Sequence, residues 1–260
     1  DISFSTKDVI GTTMFLFSNG CSFLTSRPKD GVDTFTTKIL AEKYNMPLIN
    51  FAMGGRGNDR ISFTTKVWLE RHKRDKHFAV IGWSSASRND YVTNDGHKKG
   101  RMPGTELTWR TWKTLDNVNF VRKKPGWDIE NNMTMRFLDS VFDLQNYFER
   151  KKIPYVMYNS LPNDFGSTTF DFKVIKDSIN MNRFFSPNLS QYEFILDKGM
   201  ISSESDPHPS AEGHRQWAAQ LIKFIDYCWI VIRIARKFKT SIVNVHSVFA
   251  LPLGVIVAWV

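Results

Sequence analysis

From residue 12 onward, short apolar runs alternate with longer stretches in which apolar residues return every three or four positions. The runs at 12–18 (TTMFLFS), 47–52 (PLINFA), 77–83 (HFAVIGW) and 153–160 (IPYVMYNS) predict strands. A fifth strand is expected near 192–196 (YEFIL). The longer stretches at 34–44, 59–73 and 131–151 predict helices. A final helix begins near Ser210, a residue suited to an N-cap, with Gly213 an early weak point in it. This alternation is the pattern of βαβ units around a parallel sheet, so the chain belongs to the α/β class.

Between the third strand and the long helix lie residues 84–128, rich in Gly, Asn, Lys and Trp. Insertions of that length after a strand's carboxyl end commonly carry substrate contacts or form a lid. Trp109, Trp112 and Trp127 suit stacking on a sugar or a base; the alternative is a small satellite core under the loop. The organisation expected is one domain over 1–227, with 84–128 inserted in it, and an apolar extension over 228–260. Residues 241–260 carry no charge but include Asn244, His246 and Pro252, and Arg233, Arg236, Lys237 and Lys239 precede them. That tail suits a membrane-associated segment, an extra packed element or an appended extension.

The 260 residues, 42% of them hydrophobic, suffice to bury a full core as one domain. A formal charge of +9 raises the question of a nucleic-acid partner. The basic groups at 71–76, 98–101, 122–124, 151–152 and 233–239 are scattered, which argues for a solvated surface over a binding face. Cys21 and Cys228 make no disulfide framework, and no Cys/His spacing resembles a zinc site, so a reducing, cytoplasmic setting is expected. The chain opens on Asp1 without a signal-peptide progression, and the missing initiator methionine suggests a trimmed or partial sequence.

Chemistry gathers where strands end. In parallel sheets ligands bind outside the carboxyl ends of the strands, so those ends converge. After the first comes SNGCSF, a tight turn delivering Cys21 and Ser22; after the second, NFAMGGRGND, whose glycines let backbone N–H groups approach a ligand. After the third comes GWSSASRND, and far downstream DPHPSAEGH supplies a carboxylate and an imidazole. Pro207 and Pro209 restrict the backbone on both sides of His208. A nucleophile, a base, an orienting acid and oxyanion donors together define acyl-transfer chemistry.

The order and spacing of these blocks resemble the SGNH, or GDSL-type, hydrolase superfamily over residues 12–225. Gly20, Cys21 and Ser22 resemble its first block, Asn50 to Gly55 its second, and Asp206, His208, Pro209, Gly213 and His214 its last. The chain is also similar in general appearance to SGNH-like proteins encoded by bacteriophages. The resemblance implies a three-layer α/β/α sandwich with a flavodoxin-like, parallel five-stranded sheet, and no metal or organic cofactor. It implies Ser22 as nucleophile, His208 as general base and Asp206 as the group that holds the imidazole, with Cys21 and Glu204 as alternatives. The backbone N–H groups of Ser22 and Gly55 would face the oxyanion. Ser84 stands where the family carries an amide donor, and Asn89 is close enough in sequence to substitute. Asp206 and His208 are separated by one residue, and in extended backbone alternate residues point the same way, so the pair is expected to meet. Asn58, with Asp59 and Arg60, suggests a polar helix start facing the site, and Trp109 and Trp112 are candidate substrate contacts.

The expected function is therefore hydrolysis of a carboxylic ester, a small-molecule or glycan ester such as a carbohydrate O-acyl group. A weakened module binding glycan or nucleic acid through the basic, Trp-containing insertion is the alternative, and acyl transfer would use the same residues.

Overall fold

A computed structural model describes residues 13–93, 108–113, 129–163 and 170–237. Three long strands of its main sheet carry apolar residues on both faces, as a strand does when both sides are covered. They are β1 (Met14–Gly20), β3 (Lys76–Trp83) and β6 (Tyr155–Asn159), flanked by β2 (Leu48–Asn50), with the two-residue β7 (Phe184–Phe185) at the far edge. All pairings are parallel and the order is β2-β1-β3-β6-β7, the flavodoxin-like arrangement.

Alternate side chains of each strand enter different cores. Phe17, Ala79, Ile81, Trp83, Tyr155 and Met157 pack with Ile61 and Leu69 of α2 (Asn58–Arg71) and with Phe137, Val141 and Phe148 of α3 (Ile129–Lys151). Helix α4 (Phe170–Ser178) closes that layer through Phe172. On the opposite face Leu16, Phe78, Val80, Val156 and Tyr158 meet Leu40 of α1 (Thr36–Lys43), Ile195 of α5 (Gln191–Asp197), and Trp217, Leu221 and Ile225 of α6 (Ala211–Lys237). The result is a three-layer α/β/α sandwich.

The structure corrects the fifth strand. Residues 192–196 lie in helix α5, and β7 at Phe184–Phe185 completes the sheet. Tyr, Phe and Ile favour strands, but Ser190 and Glu193 form a capping box: the Ser190 hydroxyl accepts from the Glu193 N–H at 3.2 Å, and the Glu193 carboxylate accepts from the Ser190 N–H at 2.8 Å. The insertion carries a two-stranded antiparallel hairpin outside the main sheet, β4 (Arg88–Thr93) with β5 (Thr108–Lys113). Helix α6 runs unbroken through 227/228. No helix among the described residues is long and apolar enough to cross a membrane, and 238–260 lie outside them.

Gly213, in the first turn of α6, is explained by close packing: a Cβ there would lie 2.6 Å from the Met200 carbonyl. The next residue, His214, is fully buried, and its Nδ1 accepts from the Thr36 N–H at 3.3 Å. Burial pushes its pKa down to about 4. The unfolded chain takes up a proton near pH 6.5 and the folded chain does not. Stability is therefore expected to fall as the pH drops from about 6.5 to 4, by an amount on the order of 3 kcal/mol from this residue. Urea titrations across that range will show the slope, and His214→Gln will flatten it.

Candidate active site

The parallel register aligns Gly20 with Gly82 and Trp83 with Asn159, so the carboxyl ends of β1, β3 and β6 finish at one level. Beyond Gly20 the chain turns into a single 3₁₀ turn, Ser22–Leu24. Ser22 does not cap this turn; Cys21 holds the cap position and makes no side-chain capping bond. The Ser22 hydroxyl faces His208 instead, with Oγ 2.8 Å from Nε2.

His208 comes from a tied-off loop between α5 and α6. Ile201 and Pro209 form an antiparallel bridge, the Ser202 N–H donates to the His208 carbonyl at 2.8 Å, and the Ser210 N–H donates to the Met200 carbonyl at 3.0 Å. Within the loop the His208 N–H donates to the Asp206 carbonyl at 2.7 Å. That bond makes a three-residue turn centred on Pro207, whose fixed φ suits it. Asp206 and His208 thus meet through a tight turn, not through the extended alternation expected from their spacing. His208 Nδ1 lies 2.7 Å from Asp206 Oδ1, although the N–H is angled away from the ideal hydrogen-bond direction. Glu204 is exposed; Asp206 is the carboxylate that reaches the ring.

Arg27 is a residue that sequence reasoning missed. Its Nη2 donates to Asp206 Oδ2 at 2.5 Å while its Nε pairs with Asp30, three residues on. The hydrogen bond from Arg27, then the charge of His208, holds the Asp206 carboxyl below its ordinary value. His208 is also lowered, first by burial and then by the Arg27 charge, against the opposing pull of Asp206. Its ring packs on Phe23 at 5.0 Å between centroids. Cys21, the neighbour of Ser22, has no exposed surface, and burial pushes its thiol pKa up. A buried, protonated thiol is a poor nucleophile.

The turn after β2 lies over Ser22. A Cβ on Gly54 would come within 3.8 Å of the Ser22 Cβ, and Gly55, the next residue, has φ +77°, which favours glycine. Asn50 joins the two turns by donating to the Leu24 carbonyl at 2.8 Å and accepting from the Ala52 N–H at 3.0 Å.

Asn58 occupies a different place from the one expected of a substrate contact. It is buried, and its amide exchanges two bonds with the Ser84 backbone, donating to the carbonyl at 3.0 Å and accepting from the N–H at 2.9 Å. It braces the end of β3. Ser84 is itself fully buried, and its hydroxyl accepts from Arg88 Nη1 at 3.0 Å. Asn89 lies on β4 and pairs in register with Trp112 of β5, as Val92 pairs with Trp109. The side chains of Asn89, Trp109 and Trp112 lie outside those described.

Beside this cluster, at the ends of β6 and β7, a cavity of about 370 Å³ is lined by Asn159, Asn163, Pro187 and Glu193 among others. Asn163 joins it to the site by donating to the Ser84 carbonyl at 2.8 Å. Among the described residues, no group of three or more His, Cys, Asp or Glu side chains is arranged to hold a metal ion.

Solved structures with a similar chain path include the psychrotrophic esterase EstA from Pseudoalteromonas sp., at 14% identity and TM-score 0.48, covering 83% of this chain and 98% of that one. A catalytic mutant of Axe2, an acetylxylan esterase from Geobacillus stearothermophilus, has 13% identity and TM-score 0.44 over 83% and 95%. TesA has 12% identity and TM-score 0.44 over 81% and 97%. Likeness at this level carries no statement about activity. No curated protein sequence matches the chain. Residues 33–237 match the model of a family of unknown function, DUF6071, and the chain belongs to that family.

Proposed function

We propose that the protein hydrolyses carboxylic esters through an acyl-enzyme on Ser22. The observation that carries this reading is the 2.8 Å approach of the Ser22 hydroxyl to His208 Nε2, across 186 residues of sequence. A hydroxyl is a weak nucleophile until a base takes its proton, and a neutral imidazole at hydrogen-bond distance is such a base. The lowered pKa of His208 keeps it in the accepting form at neutral pH. Asp206, ionised beside Nδ1, then steadies the imidazolium that forms. The backbone N–H of Ser22 and those of the turn at Gly54 and Gly55 are the proposed donors to the oxyanion.

Wild-type protein is expected to hydrolyse p-nitrophenyl acetate and to be labelled by a fluorophosphonate, which requires an activated hydroxyl and no knowledge of the natural substrate. Ser22→Ala should remove labelling and lower kcat at least about 1,000-fold, while Cys21→Ala retains both. Labelling of Ser22→Ala equal to wild type would refute the assignment.

The pH dependence follows from His208. The acid limb of kcat/KM should lie below the ordinary histidine value near pH 6.5, with the rate level by pH 7. Arg27→Gln removes one of the charges that depress His208, so its acid limb should move to higher pH. A profile of kcat/KM between pH 4.5 and 8 for the two proteins measures the shift. An unmoved limb would show that Arg27 does not tune the base.

A further inference from the structure

One cation at the strand ends has no part in the machinery described so far. Gly20 and Gly82 are register partners, so the chain leaves β1 toward Cys21 and Ser22 at the same level at which it leaves β3 toward Ser84. Neighbouring strands lie about 4.8 Å apart. The Ser84 hydroxyl has no accessible surface and meets the guanidinium of Arg88 at 3.0 Å. Arg88 itself is partly exposed, so it reaches from solvent down to the end of β3. Its charge also acts on Cys21, the residue before Ser22, where it opposes the upward push of burial.

The backbone of Arg88 is held firmly in this place. A Cβ on Gly57 would lie 2.5 Å from the Arg88 carbonyl, so only glycine lets β4 approach the start of α2 this closely. The Arg88 N–H donates to the Ser85 carbonyl at 3.1 Å. Two residues on, Asp90 fastens the hairpin to α2: its carboxylate accepts from the N–H groups of Gly57 at 2.8 Å and Arg60 at 3.3 Å, and from Thr111 Oγ1 at 2.5 Å. A carboxylate at a helix start meets the unpaired N–H groups there and the positive end of the helix dipole. These contacts place a guanidinium, which has five N–H donors, at Ser84, where its charge is felt by Cys21, the residue before Ser22, and the bond to Ser84 engages one of its nitrogens.

We propose that Arg88 is a further catalytic residue, donating to the ester carbonyl oxygen as Ser22 attacks it. The proposal rests on the ester-hydrolysis reading above. As Ser22 Oγ bonds to the carbonyl carbon, the π pair of the C=O moves onto oxygen and the Oγ proton passes to His208 Nε2. The negative oxygen draws N–H donors from Arg88. Collapse restores the C=O and expels the alcohol, which leaves with the proton from His208. Water then repeats the sequence on the acyl-enzyme and releases the acid.

The test is steady-state hydrolysis of p-nitrophenyl acetate by the full chain and its variants. Arg88→Met is expected to lower kcat about 100- to 1,000-fold with KM within about threefold, the pattern of an interaction made only in the transition state. Fluorophosphonate labelling should slow in parallel, and Arg88→Lys should keep part of the rate. Adding guanidinium ion to Arg88→Gly should raise its kcat, an effect that a bracing role would not produce. Where Arg88→Met melts below the assay temperature, Arg88→Lys and guanidinium rescue decide the matter. A kcat within threefold of wild type in Arg88→Met, or a loss carried wholly by KM, overturns the proposal and leaves the Ser22 reading standing. Wild type that neither turns over the ester nor takes the label overturns both.

Discussion

The structure depends on how closely β1 and β3 approach at their carboxyl ends. A Cβ on Gly20 would lie 2.7 Å from the Gly82 carbonyl, so the two backbones meet where any side chain would separate them. That contact is backbone against backbone, and no rotamer change relieves it. It sets the level of Ser22 against Ser84, and everything brought to the site is brought to that level. The turn after β2 reaches it through Asn50, the end of β3 is braced by Asn58, and the hairpin reaches it through Arg88. A site assembled from strand ends inherits the precision of the sheet, which loops alone do not supply.

The imidazole is supplied differently. Its loop belongs to no strand of the main sheet, so it carries its own ties: the Ile201 and Pro209 bridge, and the turn centred on Pro207. The weak point of this arrangement is Asp206, whose side chain is 52% exposed. A carboxylate in contact with water has alternatives to holding an imidazole. Arg27 answers this by taking the second carboxylate oxygen, and Asp30 in turn directs Arg27. The chain of contacts from Asp30 to Ser22 is four links long, and each link restricts the rotamers of the next.

Much of this is legible in the sequence, for identifiable reasons. The long sheet strands show as apolar runs because both faces are covered. Ser22, Asp206 and His208 show because turn chemistry surrounds them: glycine at 20, prolines at 207 and 209. The missed parts depend on tertiary routes. Two residues, Phe184 and Phe185, are too few to display a period, so β7 leaves no pattern. The segment YEFIL carries strand-forming residues, and only the Ser190 to Glu193 spacing, which runs into it, signals a helix. Asn58 stands at a polar helix start, which fits a ligand contact and a brace equally well; the partner that decides between them is 26 residues away. Arg27 and Asp206 are 179 residues apart, and nothing local to either announces the other.

The placement of charge around the site has one further logic. In the proposed reaction, attack by Ser22 would convert two neutral groups into a pair of opposite charges, an imidazolium and an alkoxide, at the same moment. The less water reaches them, the more each depends on a fixed partner of opposite sign set before the reaction begins. Asp206 is that partner on the imidazole side. An uncharged amide on the other side would leave the alkoxide with dipoles alone, whereas Arg88 in the proposed role would balance Asp206 with a full charge. This also explains why the cation is delivered by a separate hairpin. A guanidinium has too long a side chain to stand at position 84, just past β3, where Asn58, Asn163 and Cys21 crowd the strand end. Set back on β4, with Gly57 admitting its backbone and Asp90 fastening the strand, Arg88 has the distance its side chain needs to end beside Ser84.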